Sequence, residues 1–406
     1  MQGKVDGAVN SANKGAADVV IVGAARTPFG KLLGGLTPFT GPQLGGLAIE
    51  AALAQGGIHG DEVDAVILGE VLQAGVGQNP AKQAAIAGGV RRTAHTSTVN
   101  KVCLSGMEAV INAARIIRCG EADVVVAGGM ESMSNAPHLL HVRKGIKYGS
   151  SEMLDHMAYD GLTDAELGNS MGALAEDFAR EAYPASREDE DRCAALSHQR
   201  AHEAAANGTF AAEITPVTVV TRKGDTVVDT DEGVRGDVTP ESLGKLRPAF
   251  EKDGTITAGN SSPLTDGAAA VVLTTRENAE AKGWKVLATL RSPGQIAGDD
   301  SSLQIKPALA LRQALDREGW TVDQLDHIEI NEAFAAVIVA SAKELGVEQD
   351  SINPHGGAIA MGHPIGASGA RLIVHAAHQI AAGNASRAGL ALCGGGGQGE
   401  ALLLEA

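Results

Sequence analysis

The sequence predicts an α/β protein made of two similar halves with a large insertion between them. Three observations carry that reading: the composition, an internal repeat, and a change of texture in mid-chain. Its 406 residues suffice for two to three compact units at ~150 residues each. Aromatic residues are only 3% while glycine occurs 52 times, so the core must be Ala, Val, Ile and Leu packed against glycines. That suits layered helices and buried parallel strands rather than an aromatic-rich β-sandwich.

The elements follow in order. Residues 1–17 read as an N-terminal extension expected to be disordered, and residues 18–133 as the first half. DVVIVGAARTPFG at 18–30 is a first strand. GIHGDEVDAVILGE at 57–70 ends in a short apolar run after a polar turn, which reads as a second, buried strand. Ser105-x-x-Glu108 has the pattern of a capping box, so a helix should begin just after Ser105. Met107, Val110, Ile111, Ala114 and Ile117 form its apolar face, and Gly120 suits the residue just past its end. DVVVAGG at 123–129 closes the series as a strand.

The second half, 284–406, repeats the first. Gly57, Asp64 and Glu70 recur as Gly319, Asp326 and Glu332, each shifted by 262. Ser105-Gly106 recurs as Ser368-Gly369, and Ile117 and Gly120 as Ile380 and Gly383, at a shift of 263. WKVLATLRSPG at 284–294 and GLALCGG at 389–395 echo the strands at 18–30 and 123–129. Each half should run strand, helix, strand, helix, strand, with right-handed crossovers between parallel strands. Residues 134–264 differ, with several Met and His and acidic helices such as 186–205, and read as an inserted lid or substrate-binding domain. Residues 265–283 are the return segment to the core.

With 33 basic and 49 acidic residues, the formal charge is −16, which argues against a nucleic-acid partner. No apolar run approaches the ~18 residues that cross a bilayer. The N-terminus lacks a secretory or transit pattern and ALLLEA carries no lipidation address, so a cytoplasmic protein without membrane attachment is expected. Cys103, Cys119, Cys193 and Cys393 form no CxxC pair, which excludes a zinc knuckle or thioredoxin motif.

Four segments could carry chemistry. Cys103 lies just ahead of the predicted helix, where the positive helix end favours thiolate over thiol. NPHGGAIAMGHPIGASGAR at 353–371 places His363, or alternatively His355, in a glycine-rich loop leading into a helix. LCGGGGQG at 392–399 puts Cys393 at a strand end, followed by glycines whose N–H groups can face a ligand; it is otherwise a tight strand-to-strand turn. Asn331-Glu332-Ala333-Phe334 ends the repeated strand.

Together these segments resemble the thiolase family from about residue 18 to the end. The matching motifs are NKVCLSG at 100–106, NEAF at 331–334, GGAIAMGHPIGASG at 356–369 and CGGG at 393–396. The resemblance implies two pseudo-symmetric α/β halves in a layered αβαβα arrangement with an inserted loop domain. It implies acetyl-CoA C-acetyltransferase activity, the reversible Claisen condensation of two acetyl-CoA to acetoacetyl-CoA and CoA. Cys103 would carry the acetyl group, His363 would activate it, and Cys393 would remove the α-proton of the second acetyl-CoA. Asn331 would position a water with His363 in one oxyanion hole, and the N–H groups of Cys103 and Gly395 would form the other. Two proton transfers and two transient charges need two acid/bases and two holes.

The resemblance also places coenzyme A contacts at Leu162, Met171, Arg235, Ser242, Phe250, Ala258, Ser262, Leu264 and Phe334. It implies no cofactor, since CoA thioesters are substrates, no metal, and a homotetramer with a dimer as fallback. The contact between dimers would fall at ESMSNAPHLL, 131–140. Ser170, Lys306-Pro307 and Gln398 depart from common family residues and bear on chain length and pantetheine contacts. A 3-ketoacyl-CoA thiolase acting on longer chains shares every catalytic residue. A ketosynthase would carry His at position 331 and lack Cys393, and a non-catalytic acyl-CoA binder would have lost the thiol or the base. A thiol-disulfide protein would show a Cys103–Cys393 bridge.

Overall fold

A computed structural model of the chain describes residues 17–406, so nearly all of the extension read at 1–17 lies outside the described residues. The first half runs β1 (Val19–Arg26), α1 (Gly41–Gly56), β2 (Ala65–Gly69), α2 (Pro80–Ala87), β3 (His95–Val99), α3 (Ser105–Arg118) and β4 (Val124–Ser132). The insertion contributes α4 (Met171–Glu181) and α5 (Arg187–Ala206), and the chain returns through β5 (Thr265–Thr275). The second half runs β6 (Ala288–Ala297), α6 (Lys306–Glu318), β7 (His327–Ile330), α7 (Ala335–Leu345), α8 (Ser368–Ala381), β8 (Arg387–Gly394) and β9 (Gln398–Glu405).

These strands lie in the order β7-β8-β9-β6-β1-β5-β4-β2-β3. The two half-sheets join only where Val20 and Ile21 of β1 pair with Thr289 and Ala288 of β6. Strand periodicity sorts the core into layers. Val19 and Ile21 face inward with α3 and α8, while Val20 and Val22 face outward toward α1 and α2. On the other half-sheet, Leu390 and Leu392 join the middle layer, and Ala391 and Cys393 face α6 and α7. The result is helices, sheet, helices, sheet, helices. Burying each Val, Leu or Ile contributes roughly 1.5–3 kcal/mol, so the middle layer, closed on both faces, is the main stabilising element.

Parallel order throughout is not what forms. β5 and β9 run antiparallel to both of their neighbours. The cause is local in each case. β4 leaves the sheet at Ser132 and the insertion returns at Asp266, its register partner, so the chain must run back. β9 follows β8 through the turn Gly395–Gly397, and so short a connection permits only an antiparallel hairpin. The return segment at 265–283 is thus a central strand followed by a short helix.

Candidate active site

The N-termini of α3 and α8 meet between the two half-sheets. A Cβ on Gly369 would stand 2.6 Å from the Met107 nitrogen, and one on Gly106 would stand 2.9 Å from the Ala370 nitrogen. The Ser-Gly pair of the repeat is therefore where the two central helices touch. Cys103 precedes one helix and His363 precedes the other.

The helix after Cys103 begins at Ser105, with Leu104 at the cap position, and the expected capping box is absent. Ser105 Oγ instead donates to the Val102 carbonyl (2.6 Å) and accepts the Lys101 N–H (2.8 Å). Glu108 is engaged by Lys101 Nζ at 2.6 Å. These bonds hold Val102 at φ 51°, a left-handed conformation that β-branched residues rarely adopt. The strained turn presents Cys103, half-buried, to a cavity. Gly120 does take the left-handed position past the helix end, with φ 71°.

His363 is set by the loop around it. Its N–H donates to Thr265 Oγ1 at 3.0 Å, and its Nδ1 lies 2.5 Å from Ser368 Oγ. When Ser368 directs its one hydroxyl proton to the Pro364 carbonyl (3.0 Å), Nδ1 carries the ring proton and Nε2 holds the lone pair. Nε2 is buried without a hydrogen-bond partner, as is Asn331 Oδ1. Asn331 Nδ2 approaches His363 Nδ1 at 3.5 Å. Burial, with a smaller contribution from Arg371, lowers the imidazole pKa to about 4, so the ring is neutral near pH 7. His355, the alternative, faces His375 at 3.0 Å and does not line the cavity.

The thiolate expected at Cys103 is not the resting form. Burial pushes its thiol up to about 12, outweighing the N–H groups of Cys103 and Gly395 that point at the sulfur. Those two donors are the pair expected for the second oxyanion hole. Cys393 is also pushed up, by burial and by its proximity to Cys103. No disulfide joins them. Ser368 and Glu131 are supports that the sequence reading did not single out. Glu131 accepts N–H groups from Val71, Leu72 and Gly366 at 3.1, 3.1 and 2.9 Å, tying β4 to the His363 loop. Only its place in the fold reveals that role; Ser368 was visible as the repeat of Ser105.

The cavity holds about 300 Å³ and is lined by Cys103, His363, Cys393 and Gly395. Six of the nine expected coenzyme A contacts line it too: Leu162, Met171, Phe250, Ser262, Leu264 and Phe334. Phe250 meets Phe334 edge to face at 6.2 Å, and Ser262 Oγ donates to the Ala333 carbonyl (3.0 Å). Arg235, Ser242 and Ala258 do not line it and lie exposed on the insertion. Arg235 is held by a contact between its Nη2 and His198 Nε2 at 3.2 Å. Ser170 lines the cavity and caps α4.

A mostly apolar cavity with a thiol in its wall can receive an acyl group, while N–H donors pointing at the sulfur can stabilise the charge of its transfer. The class is that of cysteine-dependent acyl-transfer enzymes. Comparison with known proteins narrows it to a family. Residues 19–277 match the thiolase N-terminal domain and residues 284–406 the thiolase C-terminal domain. A probable acetyl-CoA acetyltransferase of Mycolicibacterium smegmatis is 52% identical over 95% of this chain and 100% of its own. An acetyl-CoA acetyltransferase of Pseudomonas aeruginosa is 48% identical over 95% and 99%. The crystal structure of the Bacillus anthracis acetyl-CoA acetyltransferase superposes with a TM-score of 0.93 at 38% identity, covering 96% of this chain and 99% of that one. The chain belongs to the thiolase family.

Proposed function

We propose that this protein reversibly condenses two acetyl-CoA molecules to acetoacetyl-CoA and CoA through an acetyl-Cys103 thioester. The observation that carries the reading is the meeting of two thiols, a neutral imidazole with a free Nε2, and the Gly395 N–H on one cavity. The names of the relatives support acetyl as the acyl group.

His363 Nε2 takes the Cys103 proton, and the thiolate attacks the thioester carbonyl. The C–S bond to CoA breaks, and the departing thiolate takes the proton from His363. For the second acetyl-CoA, His363 receives the Cys393 proton and the Cys393 thiolate removes an α-proton. The enolate carbon attacks the acetyl group, Cys103 leaves as thiolate and recovers its proton from His363. Asn331 with His363 and the N–H groups of Cys103 and Gly395 serve the two oxyanions. Leu162, Met171, Phe250, Ser262, Leu264 and Phe334 guide the pantetheine, and Arg235, with Ser242 and Ala258, faces the nucleotide. The reading extends to a homotetramer in the cytoplasm.

The test separates the thiols. Mixed with acetyl-CoA, the wild type should show one acetyl group on the Cys103 peptide by mass spectrometry. Cys393→Ala should still acetylate and exchange label between CoA and acetyl-CoA, yet lose condensation by about 10²–10⁴-fold. Cys103→Ala should do neither. Condensation by Cys393→Ala at near wild-type rate would remove Cys393 from the mechanism. Thiolysis rates across ketoacyl chain lengths check the acetyl preference.

A further inference from the structure

Behind the site lies a second cluster of chemistry-bearing side chains that none of these steps uses. His327 and Glu329, two residues apart on β7, project to the same side of the strand. His375 approaches from α8, and His355 from the loop that precedes the His363 segment. We propose that His327, Glu329 and His375 form a three-ligand zinc site clamping β7, the strand that leads into Asn331, to the helix that follows His363.

The spacing fits a coordination shell. Nitrogen and oxygen ligands about 2.0–2.1 Å from a tetrahedral zinc stand about 3.3–3.4 Å from one another. Here Glu329 Oε1 lies 3.2 Å from His327 Nε2 and 3.5 Å from His375 Nε2. His355 Nδ1, 3.0 Å from His375 Nε2, borders the set from outside it. Ligand atoms of His327, Glu329 and His375 all fall within 4.8 Å of one another. All three side chains are at least nine-tenths buried, His355 less so.

The groups behind the ligands fit as well. Metal-bound histidines usually give their other ring N–H to a carboxylate, which fixes the tautomer. His375 Nδ1 lies 2.6 Å from Glu213 Oε2, so Nε2 is the ring atom turned toward Glu329. The other oxygen of Glu329 accepts from Arg371 Nη1 at 2.7 Å, and Glu213 is itself held by Arg26 Nε at 2.7 Å. Imidazole and carboxylate donors without thiolate suit zinc and its divalent neighbours rather than copper(I). A buried set with no cavity-lining member is built to hold the fold rather than to meet substrate, so the ion enters with folding. This departs from the absence of a metal expected from the sequence: the ligands come from positions 327, 329 and 375, a spacing that matches no linear motif.

Metal analysis of the full chain, expressed with zinc and dialysed against a mild chelator, should find about one zinc per chain. Cobalt(II) substitution should give the visible bands of a tetrahedral nitrogen and oxygen site. A sulfur-to-cobalt charge-transfer band would assign the metal to Cys103 and Cys393 and overturn the proposal. His327→Asn with His375→Asn should lose the metal, and stripping the wild type should lower its melting temperature. Less than about a tenth of an equivalent after zinc loading, or stripping without a change in melting temperature, would sink the site or its clamping role respectively. The wild-type measurements decide the matter even where the double variant fails to fold.

Discussion

Cys103 and His363 rest as a neutral pair, and that has a measurable consequence. Burial raises the Cys103 thiol to about 12 and lowers the His363 imidazole to about 4, so near pH 7 both are uncharged. Reaction of the free enzyme with iodoacetamide follows the thiolate fraction, which grows until pH reaches the thiol's own pKa. Alkylation of Cys103 should therefore rise about tenfold per pH unit between pH ~7 and ~10. A plateau above pH ~8 would instead mean a thiolate already stabilised by the helix end. On the acid side, condensation should fall as pH drops toward about 4, because a protonated His363 cannot accept the Cys103 proton. The residues themselves were legible in the sequence; the direction of the Cys103 shift was not. A helix N-terminus can be read from SGMEAV, but the depth of the sulfur below the surface depends on chain 292 residues away at the Gly395 turn.

At the scale of elements, the crossing of α3 and α8 decides whether the two N-termini deliver their side chains to one point. Ala normally stabilises a helix by about 1 kcal/mol relative to Gly. Gly369→Ala should do the reverse, because its Cβ would stand 2.6 Å from the Met107 nitrogen. Forcing the helices apart should cost about 1–3 kcal/mol and lower kcat through the displaced His363 loop. Thermal melts and turnover read both effects, and an unchanged or raised melting temperature would show that the close approach is not what sets the site. The repeat made this crossing findable, since Ser105-Gly106 and Ser368-Gly369 share the offset of 263 that relates the two halves. The antiparallel strand β5 was not findable in the same way. TDGAAAVVLTT is buried on both faces, so it carries no alternation, and its direction depends on where the insertion re-enters the sheet. Arg235, Ser242 and Ala258 came from resemblance alone, and their exposed positions follow from the shape of the insertion, which no local pattern encodes.

For the whole molecule, the layered core leaves two surfaces that a lone chain covers poorly. β3 ends the sheet, and its sequence HTSTV has no Pro, Lys or bulge to block addition of another strand. The insertion holds apolar side chains out in solvent beyond the stretch first read as the contact. Residues 131–133 are buried in β4 and the turn after it, whereas Leu140, Val142, Ile146, Tyr148 and Met153 are exposed, Tyr148 fully. Exposed apolar groups clustered along one segment mark an interaction surface. Two distinct surfaces that each pair with their own copy about a two-fold axis would generate a dimer of dimers rather than an open chain. Light scattering should therefore return four chain masses at micromolar concentration. Replacing Leu140 and Tyr148 with Ser should halve that mass while leaving the cavity, and hence acetylation of Cys103, intact, because neither residue lines it. A wild type that stays monomeric would mean that neither surface pairs. A double variant that stays tetrameric would move the second contact off the 140–153 segment and onto the core.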